Sequence, residues 1–215
     1  MSLLHKYRHI IWDWNGTLFD DVDLCLELIN TLLSRHGLKS ITLERYRDVF
    51  GFPVRRYYQN IGFDFRRVSF ERVAVEFIDA YNSRRFEAGL YKGAAETLRG
   101  LCNLGVSHSV LSAYRHADLE TTIRRLGIGG YFETISGISD QFAASKKENG
   151  ALLIKKLTYT PEEILLVGDT GHDFEVARMI GVDCILISHG HSSLNRLKRC
   201  GVPVVDALNK IFTTT

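Results

Sequence analysis

Apolar residues along this chain follow two different periods, and the change of period divides it. Near the start, the β-branched run Ile10-Ile11 leads into Asp13, and Asn15-Gly16 then turns the chain. That pattern predicts a buried strand delivering one carboxylate to its C-terminal end, although Asn-Gly is also a common turn dipeptide. From Asp21 the spacing becomes helical. Val22, Cys25, Leu26, Ile29, Leu32 and Leu33 recur, with Asp21 at the N-cap position and Gly37 at the C′ position. Thr42 starts a short helix running to Phe50, Gly51-Phe52-Pro53 breaks it, and a further helical turn surrounds Tyr57 and ends near Gly62. Ser69 then caps a segment whose Phe70, Val73, Ala74, Phe77 and Tyr81 share one apolar face. The block predicts helix after helix and no strand.

After Gly89 the pattern alternates. Helices are predicted over 94–103, 118–125, 148–157 and 173–180, and strands over 107–112, 132–136, 164–167 and 184–187. Thr160-Pro161-Glu162-Glu163 has the residues of a capping box with proline at N1. Near-continuous apolar strands alternating with helices predict an α/β fold, a Rossmann-like parallel sheet with helices on both faces. The first strand belongs to that core. The expected division is therefore an α/β core from 1–20 and 86–215, with an inserted all-α cap over 21–85. A lid over a ligand cavity is the functional reading of such an insert, and decoration of the sheet edge is the plain one.

Composition changes this picture little. The 215 residues are 45% hydrophobic and 24% charged, ordinary for a globular chain. A net charge of +2 is too mild to argue for nucleic acid or a membrane surface. No apolar run approaches the roughly 18 residues needed to span a bilayer. Cys25, Cys102, Cys184 and Cys200 are scattered without C-x-x-C spacing, which fits free thiols in a reducing compartment. With no signal-peptide apolar region at the start, a cytoplasmic protein is expected, a monomer or homodimer without nucleic-acid or membrane partners.

The polar residues at strand ends carry the chemistry. Asp13 follows the first strand, Ser112 sits in Leu111-Ser112-Ala113-Tyr114, Lys146 in Ala144-Ser145-Lys146-Lys147, and Asp169 and Asp173 in Gly168-Asp169-Thr170-Gly171-His172-Asp173. A parallel sheet gathers such ends along one edge. Buried carboxylates there serve as Mg²⁺ ligands or nucleophiles. Lys146 supplies a point charge for phosphate, and Ser112 with nearby backbone N–H groups supplies donors. Singly, Ser112 is a strand-end serine, Lys146 a surface lysine and Asp173 a first-turn helix carboxylate. Their joint placement at separate strand ends is what calls for a common function.

D-W-N-G-T-L, the later L-S-A, Lys146 and G-D-T-G-H-D resemble the motifs of the haloacid dehalogenase-like hydrolase superfamily. F-G-F-P, G-D-T-x-x-D and S-H-G-H are most similar to its phosphoglycolate phosphatase-like branch. The resemblance implies a Mg²⁺-dependent phosphatase that hydrolyses a small phosphorylated metabolite, phosphoglycolate-like, through an aspartyl-phosphate. On that reading Asp13, Asn15, Ser112 and Lys146 are the catalytic positions. Mg²⁺ would be held by Asp13, the Asn15 carbonyl and Asp169, supported by Asp173. Thr17, Ser112, Ala113 and Lys146 would surround the phosphoryl group. Of the cap's arginine pairs (55–56, 66–67 and 84–85), Arg55 and Arg56 follow Pro53 and are best placed to meet a second acidic group of the substrate; the plain reading of such pairs is solvated surface.

Two positions leave the family pattern. Asn15 stands where its phosphatases carry an Asp that protonates the leaving oxygen and later activates water, and Ala113 stands where relatives often have Asn. An amide cannot shuttle a proton, and losing a general acid–base costs about 10²–10⁴-fold. Three accounts follow. The proton comes from the substrate or another residue, with His172 and His191 as candidates; or Asn15, followed by Gly16, deamidates to Asp; or the chain is a low-turnover phosphate-binding or regulatory relative. Dehalogenases of the same fold need no Mg²⁺, and the pair Asp169 and Asp173 argues against that chemistry.

Overall fold

The computed structural model describes residues 6–138 and 146–212. β1 (His9–Trp12) is fully buried and lies at the centre of a six-stranded sheet. The insertion begins and ends in a small stem, where β2 (Phe19–Asp20) pairs antiparallel with β3 (Gly89–Leu90). Between the stem strands run α1 (Val22–Arg35), α2 (Leu43–Val49), α3 (Val54–Asn60) and α4 (Phe70–Arg84). The core resumes with α5 (Ala94–Asn103), β4 (Ser107–Arg115), α6 (His116–Arg125), β5 (Thr134–Ile138) and α7 (Lys146–Lys156). It ends with β6 (Ile164–Gly168), α8 (Gly171–Ile180), β7 (Asp183–Ile187), α9 (Leu194–Lys198) and β8 (Val204–Val205).

The strand order is β5-β4-β1-β6-β7-β8, with every pairing parallel. The chain winds outward from β1 through β4 to β5, then returns to β6 on the other side and winds out to β8. β1 is thus the topological switch point, where ligands of open α/β sheets bind beyond the strand C-termini. Side chains alternate between the faces of the sheet. Ile10, Trp12, Leu165 and Val167 pack with α5 and α6 residues such as Leu98 and Leu119, while Ile11, Leu166 and Leu186 pack with Leu153 and Val176 of α7 and α8. The inserted helices enclose a core of their own, including Leu28, Leu32, Leu33, Tyr46, Tyr57 and Val73. Among the described residues no helix is long and apolar enough to cross a membrane. All four cysteines are free thiols.

Several elements differ from the sequence reading. The β4 strand continues past Ser112 to Arg115, but its pairing with β5 is irregular between Leu111 and Arg115, so Ser112 sits where the ladder is interrupted. Lys146 opens α7 rather than preceding it, and α8 begins at Gly171. β5 lies two residues later than expected, and α6 begins two residues earlier. The two-residue stem strands, α9 and β8 carry too little periodicity to be read. Ala144 and Ser145, quoted with the lysine motif, lie outside the described residues. Asp21 occupies the N-cap position of α1 without capping it by its side chain. Its oxygens have other partners.

Candidate active site

The C-terminal ends of β1 and β6 bring Asp13 and Asp169 side by side. The Thr17 hydroxyl lies 3.2 Å from both carboxylates, bridging them rather than lining the cavity above. Gly16 makes this approach possible: it has φ of +74°, and a Cβ there would come within 2.4 Å of the Asp169 carboxylate. Asp173 arrives from the first turn of α8, where its Oδ2 accepts from the Thr170 N–H at 2.9 Å and the Thr170 hydroxyl at 2.7 Å. Carboxylate oxygens of Asp13, Asp169 and Asp173 lie within 4.8 Å of one another, all buried. The Lys146 Nζ, itself buried, donates to both Asp13 and Asp173. Ser112 and Ala113 line the same cavity, and the Ser112 Oγ accepts from the Tyr114 N–H at 3.0 Å.

The cavity has a volume of about 640 Å³ and is roofed by the inserted helices. Arg55 and Arg56 do not line it. Val54, Tyr57 and Tyr58 do, and since i, i+3 and i+4 share one helix face, the two arginines between them point elsewhere. Arg55 lies over the rings of Phe65 and Phe70, and its nearest carboxylate is Glu71 at 4.0 Å. Several other cap arginines are held by the protein's own acids: Arg66 by Asp64 at 2.8 Å, Arg84 by Glu27 and Glu87 at 2.6 Å each, and Arg85 by Asp118 at 3.7 Å.

A family model described as haloacid dehalogenase-like hydrolase matches residues 10–187, a span that contains every one of these site residues. The chain belongs to that family. A phosphoglycolate phosphatase of Pseudomonas fluorescens is 30% identical over 216 residues, covering 95% of this chain and 78% of its own. A tyrosine-protein kinase of Mycobacterium tuberculosis is 25% identical over 198 residues, covering 91% of this chain and 67% of its own. Among solved structures, a haloacid dehalogenase-like hydrolase of Streptococcus pneumoniae superposes with a TM-score of 0.83 at 18% identity, covering 96% of this chain and 97% of that one. Relatives at this distance carry different activities, so the reaction of this haloacid dehalogenase-like hydrolase has to be argued from its own residues.

Behind these groups lies a set of contacts between distant segments that the sequence does not reveal. The Asn15 Nδ2 donates to the Asp21 carboxylate and to the Tyr81 hydroxyl, each at 2.7 Å, and Tyr81 donates to Asp21 at 2.8 Å. Asp21 also accepts from the Gly16 N–H at 3.0 Å and faces the His191 Nε2 at 3.2 Å. His191 in turn places Nδ1 2.8 Å from the Tyr46 hydroxyl, and its backbone N–H donates to Asp169 at 2.6 Å. On α2, Arg47 donates to the carbonyls of His189 and Gly190 at 2.7 and 2.9 Å. The S-H-G-H stretch is thus the seam that ties the cap to the core. Asp21 reads in sequence as a helix cap and Tyr81 as an apolar core position. Only the fold reveals that both polar atoms meet Asn15.

Charge explains the protonation pattern. Burial pushes the Asp13 and Asp169 carboxyls upward, opposed chiefly by Lys146 at Asp13 and by the charge and backbone N–H of His191 at Asp169, while the neighbouring carboxylates reinforce it. Burial would also raise Asp173, but the Lys146 charge and hydrogen bonds from Lys146 and Thr170 hold it below the ordinary carboxylate value. Burial alone would discharge His191, yet Asp21 beside it outweighs that penalty and raises the imidazole to about 9. His191 is therefore an imidazolium at neutral pH, and it holds Asp21 ionised.

Proposed function

We propose that this hydrolase is a Mg²⁺-dependent phosphatase acting on a small phosphorylated metabolite through a phosphoryl group carried by Asp13. One observation carries the reading: three buried carboxylates, those of Asp13, Asp169 and Asp173, converge at the C-terminal edge of the sheet, and a single lysine bonds two of them. One cation for three carboxylates leaves a net negative cluster of hard oxygen atoms. That donor set suits Mg²⁺, which is bound through few carboxylates and shares its coordination with substrate phosphate. Asp13, Asp169 and the Asn15 carbonyl would hold it, with Asp173 in support. When bound, the ion supplies positive charge to the phosphoryl oxygens and offsets the repulsion between a phosphate dianion and the carboxylates.

The protein's own residues account for the rest. Asp13 is delivered by the end of β1, its N–H bonded to the Val167 carbonyl at 2.8 Å, and its carboxylate is held by Lys146 and the Thr17 hydroxyl. One Asp13 oxygen attacks phosphorus in line, forming the Asp13–phosphorus bond as the ester P–O bond breaks. Lys146 stabilises charge on the equatorial oxygens and positions Asp13 and Asp173 together. Ser112 and the backbone of the interrupted strand offer further donors. Water then cleaves the acyl phosphate, releasing inorganic phosphate and restoring the Asp13 carboxylate. The phosphoglycolate named for the pseudomonad relatives belongs to this substrate class. Phosphate release from a set of monoesters tests the reading. It should require Mg²⁺ and disappear in Asp13→Asn, while Mg²⁺ binding measured by calorimetry should weaken in Asp169→Asn. Phosphate binding without turnover would instead favour a regulatory relative.

A further inference from the structure

We propose that the substrate is an aryl phosphate, a monoester whose bridging oxygen is carried by an aromatic ring, with that ring seated in the cap side of the cavity. The proposal rests on the phosphatase reading above and narrows it. Two separate features of the cavity point the same way.

The first is its lining. Above Asp13 the walls are built from Phe50, Tyr57, Phe70, Phe77, Tyr81 and Tyr114. At about 640 Å³ the cavity lies within the roughly 300–1,000 Å³ typical of small-molecule sites and has room for a ring beside the phosphoryl group. Among the described residues, its lining lysines and arginines are Lys146 and Arg115. Lys146 is occupied by Asp13 and Asp173, and Arg115 Nε donates to Asp118 at 2.5 Å. Asp79 and Asp118 face the same space, and residues 139–145 contain no Lys, Arg or His. On the cap side a substrate's own carboxylate would meet Asp79, Asp118 and aromatic faces, and the cations of the lining are already engaged, Arg115 with Asp118 and His191 with Asp21. An apolar ring would find offset-stacked and edge-on partners.

The second is the supply of protons. Both Nδ2 hydrogens of Asn15 are committed, to Asp21 and Tyr81, and the Tyr81 hydroxyl donates to Asp21. The Thr170 hydroxyl donates to Asp173, and the His191 ring nitrogens face Asp21 and Tyr46. His172 lies against the Phe52 ring, with Nδ1 3.7 Å from Glu175. The Tyr57 hydroxyl in the lining has no hydrogen-bond partner among the described residues, but it belongs to the cap helix α3, with its ring against Tyr46 and Phe50. The groups around Asp13 therefore leave the departing oxygen without an acidic proton. An alkoxide is about as basic as hydroxide, whose conjugate acid has a pKa of about 15.7, whereas a phenolate corresponds to about 10. The balance is complete for an aryl ester: the Asp13–phosphorus bond forms, the P–O(aryl) bond breaks, the electron pair leaves on the phenolate oxygen, and bulk water protonates it.

Phenyl phosphate and benzyl phosphate separate the two features, since both carry a ring and only the first leaves as a phenolate. In Mg²⁺, kcat/KM for phenyl phosphate should exceed that for benzyl phosphate by about 100-fold or more. Benzyl phosphate should still compete with phenyl phosphate far better than phosphoglycolate does, because its ring is bound. Phe77→Ala should raise KM for phenyl phosphate by a larger factor than KM for acetyl phosphate, a ring-free acyl phosphate with a good leaving group, while the melting temperature reports folding. Phosphoglycolate hydrolysis equal to that of phenyl phosphate, or equal rates on phenyl and benzyl esters, would overturn the proposal and leave the phosphatase reading standing. Failure to hydrolyse any of these esters, or the anhydride acetyl phosphate, would overturn both.

Discussion

Replacing Asn15 with Asp tests the environment of the position where this chain leaves its family. The amide nitrogen now sits 2.7 Å from an Asp21 oxygen, and a carboxylate there would face Asp21 at hydrogen-bond distance. Two buried carboxyl groups so close cannot both ionise, so one proton is retained between them well above the ordinary carboxylate range. The sign follows from linkage. The folded state keeps a proton that the unfolded chain releases near pH 4, so the variant is closest to wild-type stability in acid and loses stability as pH rises through the raised value. The loss at high pH should approach that of a hydrogen bond to a charged group, about 1.5–3 kcal/mol. The retained proton is also a general acid. Turnover of benzyl phosphate should rise by about 10²–10⁴-fold and that of phenyl phosphate far less. Thermal unfolding from pH 4 to 9, paired with phosphate release from the two esters, measures both effects. A variant with pH-independent destabilisation and no gain on the alkyl ester would refute the placement of Asn15 beside the leaving oxygen. Spontaneous deamidation of Asn15 would yield the same group, so peptide mass spectrometry of the wild type belongs with the assay.

Three further outcomes are expected. His191 is raised from 6.5 to about 9 by Asp21, so its contribution of about 3 kcal/mol is fully present below pH 6.5 and is lost as pH rises toward 9; His191→Gln should be less stable than wild type at pH 6, with the gap closing by pH 9 in thermal denaturation. Asp169 is raised from 3.8 to about 6, so metal-free protein should lose stability as pH rises across that interval. Mg²⁺ should then raise the melting temperature at pH 7 but not at pH 4, and Asp169→Asn should abolish the difference. At Gly190 an added Cβ would stand 2.1 Å from the Asp169 carboxylate, so Gly190→Ala should weaken Mg²⁺ binding in calorimetry and cut turnover; unchanged binding would show that Asp169 can shift without cost.

Much of the core was legible because its signals are local. Ile164 to Val167 reads as a buried strand from four consecutive apolar residues, and α1, α4 and α5 read from helical spacing with their end residues. Asp13, Ser112, Lys146, Asp169 and Asp173 could be grouped in advance because a parallel sheet brings its strand ends together whatever the loops do. Residues defined by contacts between distant segments were not legible. Asp21 at the start of a helix has the residue type of a cap, and nothing nearby says that Tyr81, sixty residues on, and His191 converge on it. Arg55 and Arg56 lie outside the cavity lining for a related reason. Their charge suggested a substrate contact, but Val54, Tyr57 and Tyr58 fix which face of a two-turn helix meets the cavity.

The phosphoryl carrier is the central claim, and it can be trapped. Asn15 offers no base to activate water, so breakdown of the acyl phosphate should be slow relative to its formation from phenyl phosphate. Acid quenching during turnover with Mg²⁺, followed by peptide mass spectrometry, should find a hydroxylamine-labile phosphoryl group on the peptide containing Asp13, and none in Asp13→Asn. A phosphoryl group on any other residue, or steady phosphate release by Asp13→Asn, would contradict the account.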